Sequence, residues 1–262
     1  MRTHVLLCIV AVAAAALAAA EEPAAPAPKE KRFFEMRTYY AAAGKLDALQ
    51  ARFRNHAVKL FEKHGITNIG YWVPVENPEN KLIYVLAYPD REAREKSWKE
   101  FMADPEWQAA YKESEKDGKL VAKPESIYMK ATDFSPEVAP VAGPTPRTFE
   151  LRIYKCTTRN LPNLLARFRD HTLKLFEKYG IANIAYWTPV DKDKGADDTL
   201  IYIVAHKSFE AADAAWKAFR ADPDWQAAKK ASEDKAGGSL TAPAPDGVKS
   251  TFMTPTDYSP MK

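Results

Sequence analysis

The sequence is poor in cysteine. The 262-residue chain has two cysteines, Cys8 and Cys156. Cys8 lies in an N-terminal segment that we expect to be removed, and a mature chain with one thiol has no disulfide between its own residues. Its stability must therefore come from ordinary apolar cores, for which a chain of about 240 residues is long enough.

Long apolar runs are also scarce. The candidate run is N-terminal, where Arg2 precedes an apolar stretch and Ala18-Ala19-Ala20 stands before Glu21. This order is typical of a secretory signal peptide, and the stretch is short for a membrane span of ~20 strongly apolar residues. We predict a cleaved signal peptide at 1–20, a periplasmic or secreted mature protein, and no membrane span after cleavage. The Pro-, Ala- and charge-rich residues 21–32 are predicted to be a disordered tail.

An excess of charge of one sign is missing as well. The formal net charge is +3, and loss of Arg2 with the signal peptide lowers it to +2. Such a balance excludes a broad basic surface for nucleic acid. The sequence also lacks a Gly-rich phosphate loop, a Gly-x-Ser-x-Gly elbow and a Cys-x-x-Cys pair. Its five histidines form no cluster with metal-ligand spacing, so no metal site is predicted.

What the sequence does contain is an internal repeat. Phe34–Tyr39 recurs as Phe149–Tyr154, 115 residues later, and Lys59–Val75 matches Lys174–Val190 at 13 of 17 positions with the same offset. Length differences between the copies fall between the periodic segments, where loops tolerate them. Two copies of one unit of this size indicate a duplicated domain.

The copies also set the domain boundaries. We predict a first domain at 33–133 and a second at 147–258. The segment 134–146 between them contains four prolines and is predicted to be an extended linker.

Each copy predicts the order β-α-β-β-α-β, which is the ferredoxin-like motif. Strands follow from alternation and β-forming residues, and helices from the apolar period and from start signals such as Asp104-Pro105. In the first copy the predicted strands are 34–40, 66–75, 82–88 and 124–131, and the predicted helices are 44–64 and 90–103, followed by a shorter helix from 105.

That motif leaves one sheet face uncovered by helices. The strands are rich in aromatic residues on both sides, and an uncovered face of this content is an exposed apolar patch that needs a partner. The second copy supplies one. We therefore predict an α+β fold in which the two ferredoxin-like domains pair with each other as a built-in, pseudo-dimeric α+β barrel.

The residues of both copies resemble the NIPSNAP family of the dimeric α+β-barrel superfamily. The likeness is carried by Glu35–Tyr39, by Phe61–Gly65, by Tyr71-Trp72 and by Ala103–Gln108, with matching segments in the second copy. The resemblance implies a barrel fold and, from better-known mitochondrial members, a binding or signalling role. The wider superfamily includes cofactor-free monooxygenases, cyclases and haem proteins. The chain departs from the family where a histidine is frequent in the third strand.

The first strand of each copy carries the candidate ligand-binding residues. Glu35, Arg37 and Tyr39 share one face of the strand, and Glu150, Arg152 and Tyr154 repeat the set. If Phe34 and Met36 pack under the helices, the charged set faces the joint between the sheets, where charges must be paired. The pairs would then fix the joint or bind a polar ligand.

Two histidines are candidate catalytic residues. His56, and His171 in the second copy, lie on or at the edge of the apolar stripe of the first helix. A histidine facing the sheet there would serve as a general base or as a haem ligand, or as a satisfied core or capping residue.

Three functions remain open at this point. The leading interpretation is an exported binding or interaction protein, with an unknown small molecule or protein partner and no cofactor. The alternatives are an enzyme of the cofactor-free monooxygenase or isomerase kind and a haem binder. A concave pocket with convergent polar groups near His56 would favour the enzyme.

Overall fold

The computed structural model describes residues 30–140 and 147–262. The predicted signal peptide at 1–20, most of the predicted tail and the second half of the predicted linker lie outside the described residues. Among the residues described, no helix combines the length and the apolar character that crossing a bilayer requires.

Each domain contributes four strands in the predicted order. The predicted positions are confirmed, with ends that differ by up to about three residues, as is usual for element boundaries. The strands are β1 (Phe33–Ala41), β2 (Thr67–Pro74), β3 (Lys81–Tyr88) and β4 (Val121–Ala131) in the first domain, and β5 (Thr148–Lys155), β6 (Ala182–Pro189), β7 (Thr199–His206) and β8 (Val248–Pro255) in the second.

The helices cover the outer surface of the sheet. They are α1 (Leu46–Arg52), α2 (Val58–Lys63), α3 (Arg91–Ala103) and α4 (Pro105–Ser114) in the first domain, and α5 (Leu161–Arg167), α6 (Leu173–Lys178), α7 (Phe209–Ala221) and α8 (Pro223–Ala236) in the second. Asp104 and Asp222 cap α4 and α8 by accepting backbone N–H groups of the first turn, which confirms the predicted start signal.

The first predicted helix is interrupted in both domains. A π-helical turn, Phe53–Ala57, joins α1 to α2, and Phe168–Thr172 joins α5 to α6. The Val58 N–H donates to the carbonyl of Phe53, five residues back. The apolar period did not reveal this turn, because one wider turn changes the direction of only a few side chains.

The eight strands of the described chain close into one antiparallel barrel. Their order is β1-β3-β2-β8-β5-β7-β6-β4, so each domain keeps the ferredoxin-like order and the two sheets join at both edges. One seam pairs β2 with β8 and the other pairs β4 with β6. Closure removes the unpaired strand edges that a single domain would expose, and it confirms the predicted pseudo-dimeric α+β barrel.

The barrel interior is a packed apolar core that both domains build. Phe34 lies against Trp187, and Phe149 lies against Trp72, with ring centroids 5.6 and 5.5 Å apart. All four rings are buried. The interior is therefore filled by side chains, and the cavities of interest lie outside it.

The segments that follow β4 and β8 cross to the opposite domain. The Ser135 hydroxyl accepts the Tyr186 N–H, and Ser259 accepts the Tyr71 N–H in the same way. Val138 and Met261 are both about 1% exposed and enter the barrel core. The first part of the predicted linker is thus an ordered arm that holds the two domains together.

The end of the predicted tail is also ordered. Glu30 is 5% exposed, and its carboxylate accepts hydrogen bonds from the Arg32 side chain and from the Val138 N–H. A carboxylate with these partners fixes residues 30–32, so the prediction of disorder was wrong for this part of 21–32.

Candidate functional site

The predicted orientation of the first strand was wrong. Phe34 and Met36 point into the barrel core, whereas Glu35 contacts Arg94 of α3 and Tyr39 packs against Phe53. The charged face of β1 therefore lies beneath the helices, and β5 repeats this. The barrel interior, shared by two sheets, takes the purely apolar face, while long amphipathic side chains reach helices that offer charged partners.

Glu35 is buried and fully hydrogen-bonded. Its carboxylate accepts the Arg37 guanidinium at 2.5 Å, the Arg94 guanidinium at 3.0 and 3.1 Å, the Ser126 hydroxyl at 2.5 Å and the Tyr88 hydroxyl at 3.1 Å. Burial by itself raises the pKa of Glu35, but the hydrogen bond from Arg94 and the charge of Arg37 outweigh it and hold the pKa below its usual value. The predicted Glu35–Arg37 pair therefore exists, with a second arginine that the repeat did not predict.

Glu150 occupies the same place with different partners. Its carboxylate accepts Arg152 at 2.5 Å, Ser250 at 2.6 Å and the Trp216 indole at 2.7 Å, and His206 Nε2 lies 3.1 Å away. Burial raises the pKa of Glu150, but His206, Arg152 and Ser250 together lower it to about 2.

His206 is the site residue that sequence reasoning missed. It is 2% exposed at the end of β7, so the second domain does carry a histidine in its third strand. The signal was its position, since His206 pairs in register with Thr148, two residues before Glu150. In the first domain the corresponding residue is Tyr88.

The candidate histidines do not face the sheet. His56 is partly exposed in the π-helical turn and lines an outer groove with Asn55 and Glu106, and His171 is exposed. In a π-helical turn the backbone hydrogen bond spans five residues, so each residue rotates the chain through a smaller angle than in an α-helix. This change moves His56 away from the sheet and brings Ala57 onto it. His56 and His171 were expected on or at the edge of the apolar stripe that faces the sheet; the structure leaves His171 exposed and His56 partly exposed, so neither belongs to the buried stripe.

A cavity of about 320 Å³ lies between the helices and the sheet of the first domain. We call it the helix–sheet cavity. Its volume is at the small end of ligand pockets. Most of its lining is aromatic or aliphatic, with two arginines, one lysine and one glutamate. The lining residues are Arg37, Tyr39, Arg52, Phe53, Ala57, Phe61, Trp98, Phe101, Met102, Trp107, Tyr111, Glu115, Lys119, Val121 and Pro124.

The two arginines of this cavity are held by aromatic rings. The Arg37 guanidinium lies 4.5 Å from the Trp98 ring centroid, and its Nη2 donates to the Tyr39 hydroxyl. Arg52 lies over Trp107 and Tyr111 at 5.6 and 5.0 Å. Stacking of this kind fixes a guanidinium plane without using all of its donors. The Nε–H groups of Arg37 and Arg52 are buried and have no hydrogen-bond partner in the described part of the chain.

The cavity also has one carboxylate and an open side. Glu115 accepts the Arg52 Nη1 at 3.0 Å. Burial raises the pKa of Glu115, but Arg52, Tyr111 and the Leu120 N–H outweigh it and lower the pKa. Met102 and Tyr111 are 53% and 43% exposed. These residues mark the open side of the cavity, and Ala57, which is 1% exposed, lies at its buried end.

The second domain keeps the frame of this cavity and changes part of its lining. Arg152, Trp216, Arg167 and Trp225 repeat the stacked pairs of the first domain. In the helical part of the lining three residues differ: Thr172 stands for Ala57, Arg220 for Met102 and Lys229 for Tyr111. Thr172 is about 1% exposed, so its extra atoms occupy the space that Ala57 leaves open.

The residues of the cavity do not fit a haem held by the candidate histidine. Among the described residues that line it there is no histidine, and His56 opens onto the outer groove on the other side of Arg52. Within residues 30–140 and 147–262 no three His, Cys, Asp or Glu side chains come together as a metal site.

Solved structures similar to this chain include single-domain and barrel proteins. A NIPSNAP-like domain protein from Burkholderia xenovorans is 21% identical, with 44% of this chain and 97% of that chain covered and a TM-score of 0.38. A NIPSNAP family protein of unknown function from Agrobacterium tumefaciens is 24% identical, with 42% and 97% covered and a TM-score of 0.38. An anthrone oxidase-like protein is 12% identical, with 87% and 92% covered and a TM-score of 0.54. At this identity the last likeness concerns the fold alone.

No curated protein matches the chain in sequence. The NIPSNAP family model, in contrast, matches residues 34–136 and 149–260, which together make up most of the chain and coincide with the two halves of the barrel. The chain therefore belongs to the NIPSNAP family and carries two tandem NIPSNAP domains.

Proposed function

We propose that this chain is an exported binding protein that takes up a small, flat organic molecule in the helix–sheet cavity of its first domain. The observation that carries the proposal is the cavity itself, in which aromatic walls surround two arginines, Arg37 and Arg52, whose buried Nε groups have no partner among the described residues. Apolar walls with a few placed polar groups are typical of small-molecule sites. The filled barrel interior leaves this layer as the place for a ligand.

The positions of the candidate histidines favour a binding function over catalysis. A general base needs to reach the substrate and to have a pKa near the working pH. His56 and His171 do not line the cavity. Glu115 does, but its pKa is lowered, which makes it a weaker base. The cavity thus offers contacts that hold a molecule and no poised proton acceptor among the residues described.

The binding proposal is tested with two probes of one shape, 2-naphthoate and naphthalene-2-carboxamide, by isothermal titration of the full mature chain. We expect at least one of them to bind, and Ala57→Leu to abolish its binding because the leucine fills the buried end of the cavity. Thr172→Val is the matched control in the second domain and should bind as the parent does. Absence of binding by both probes, or binding that Ala57→Leu leaves unchanged, would overturn the proposal.

The export proposal rests on the N-terminal sequence. Ala18-Ala19-Ala20 before Glu21 is a small-residue cleavage pattern. N-terminal sequencing of the protein from the periplasm or medium should give a start at or near Glu21. Mature protein that retains Met1 would contradict it.

A further inference from the structure

We infer that the ligand of the helix–sheet cavity is an anion, a flat aromatic carboxylate whose acid group is bound by Arg52. This inference rests on the proposed binding function and adds the chemical class of the ligand and the residue that selects it. Three features of the cavity lead to it: its charge, the unequal pairing of its two arginines, and the shape of its walls.

The charge of the lining is positive. Arg37, Arg52 and Lys119 line the cavity with a single carboxylate, Glu115. Glu35 lies behind Arg37, but it is shared with Arg94, so the group of charges around the cavity still has more cations than anions. A cavity with low-dielectric walls and this excess attracts an anion and disfavours a cation.

The two arginines differ in how many of their N–H groups already donate hydrogen bonds within the protein. Arg37 donates Nη1 to Glu35 and Nη2 to Tyr39, so both of its terminal nitrogens are engaged. Arg52 donates through Nη1 to Glu115 and Ser114. Its Nε is buried without a hydrogen-bond partner among the described residues, and its hydrogen bonds to them both use Nη1, which leaves Nη2 for a ligand. Two nitrogens of one planar guanidinium match the two oxygens of a carboxylate.

The walls near Arg52 set the shape of the ligand. Phe53 and Phe61 are 3% and 2% exposed at the closed end, and Trp107 and Tyr111 stand beside the guanidinium. Rings in such positions pack against the face or edge of another ring. A carboxylate on a flat aromatic body binds the arginine and packs against the rings of the walls, whereas an aliphatic chain makes poorer contact with the ring faces.

The test compares the affinities of 2-naphthoate and naphthalene-2-carboxamide, which share one skeleton and differ in charge. We expect the acid to bind the parent about tenfold to a hundredfold more tightly than the amide, the range of one charge-assisted contact. Arg52→Met should bring the ratio close to one, and Arg52→Lys should keep part of it. Arg167→Met, the matched change in the second domain, should leave the ratio unchanged.

A second variant and a folding measurement distinguish a loss of ligand affinity from a loss of folding. Arg52→Met leaves Glu115 without its partner, so Arg52→Met/Glu115→Gln is measured beside it, with circular dichroism to confirm folding. If acid and amide bind equally well and Ala57→Leu still abolishes both, the binding function stands and the anion inference is wrong. A ratio that survives in the folded Arg52 variants also overturns it. If neither probe binds, the binding function itself fails.

Discussion

The two domains place the same glutamate–arginine pair under their helices and complete it differently. Glu35 has two arginines, whereas Glu150 has one arginine and His206. The barrel fixes the backbone and the apolar face of each strand, because both domains share one core. The outer layer is built mainly by one domain, on which the arm of the other packs Tyr258 or Phe134, so its remaining side chains are less constrained than those of the core. The layer between helices and sheet is therefore where the side chains of the two copies differ.

The shared core joins the two domains, so we expect the largest effect from cutting the chain between them. Cleavage at a protease site introduced within residues 141–146 leaves each half with its barrel face, including Trp72 or Trp187. Each large side chain exposed costs about 1.5–3 kcal/mol, so the halves should stay associated as a 1:1 complex. Size-exclusion chromatography with light scattering checks this, and two separate soluble monomers would contradict the built-in dimer.

The second effect separates the two buried carboxylates. Arg152→Met removes the arginine of Glu150 and leaves His206, which is charged only when protonated; we expect a loss of about 3–5 kcal/mol in unfolding free energy. Arg37→Met leaves Arg94 on Glu35 and should cost about 1–3 kcal/mol. Urea unfolding gives both values. The double variant Glu150→Gln/Arg152→Met is the control and should recover stability; equal losses in the two domains would show that the second arginine is unimportant.

A third effect concerns the wall of the core at β2. A Cβ on Gly70 would lie 2.3 Å from the Trp72 ring, which the packed interior does not allow to move freely. We expect Gly70→Ala to destabilise the protein by about 1–3 kcal/mol. Ala185 occupies the matching place in β6, and Ala185→Gly should cost about 0.5–1 kcal/mol. Thermal unfolding compares them; a Gly70→Ala protein as stable as its parent would show that the two strands pack alike.

A fourth effect is a pH dependence, which grows only gradually as the pH falls. The pKa of Glu150 is about 2 in the folded protein and about 4.3 in an unfolded chain. Its stabilising contribution is therefore complete above the unfolded value and is lost as the pH falls through that window towards about 2. Unfolding free energies measured between pH 5 and pH 2 should fall less steeply in Glu150→Gln than in the parent. Parallel curves would mean that Glu150 is not held ionised by its partners.

The fold was predictable because its signals are local and occur twice. The strand alternation, the Asp104-Pro105 start and the exposed aromatic face each pointed to the ferredoxin-like unit and its pairing. The closed seams were not visible in the sequence, since β2–β8 and β4–β6 pairing joins residues far apart in the chain. The first crossing arm was predicted to be part of an extended linker, because its prolines resemble those of a spacer.

The site was harder to predict than the fold. Strand alternation placed Glu35, Arg37 and Tyr39 on one face but did not say which face met the helices. Arg52 and Trp107 come from α1 and α4, and their contact depends on how two helices pack. His56 was misplaced because one π-helical turn redirects it. These effects depend on tertiary packing, which neither the apolar period nor the amino-acid composition of the sequence predicts.

We expect the cavity lining of the first domain to make one ligand site per chain. The most direct test transfers the helical part of the second domain's lining by the triple variant Ala57→Thr/Met102→Arg/Tyr111→Lys, and counts 2-naphthoate sites by equilibrium titration. We predict one site per chain in the parent and none in the folded triple variant. Two equivalent sites in the parent, or an unchanged site in the triple variant, would contradict the claim.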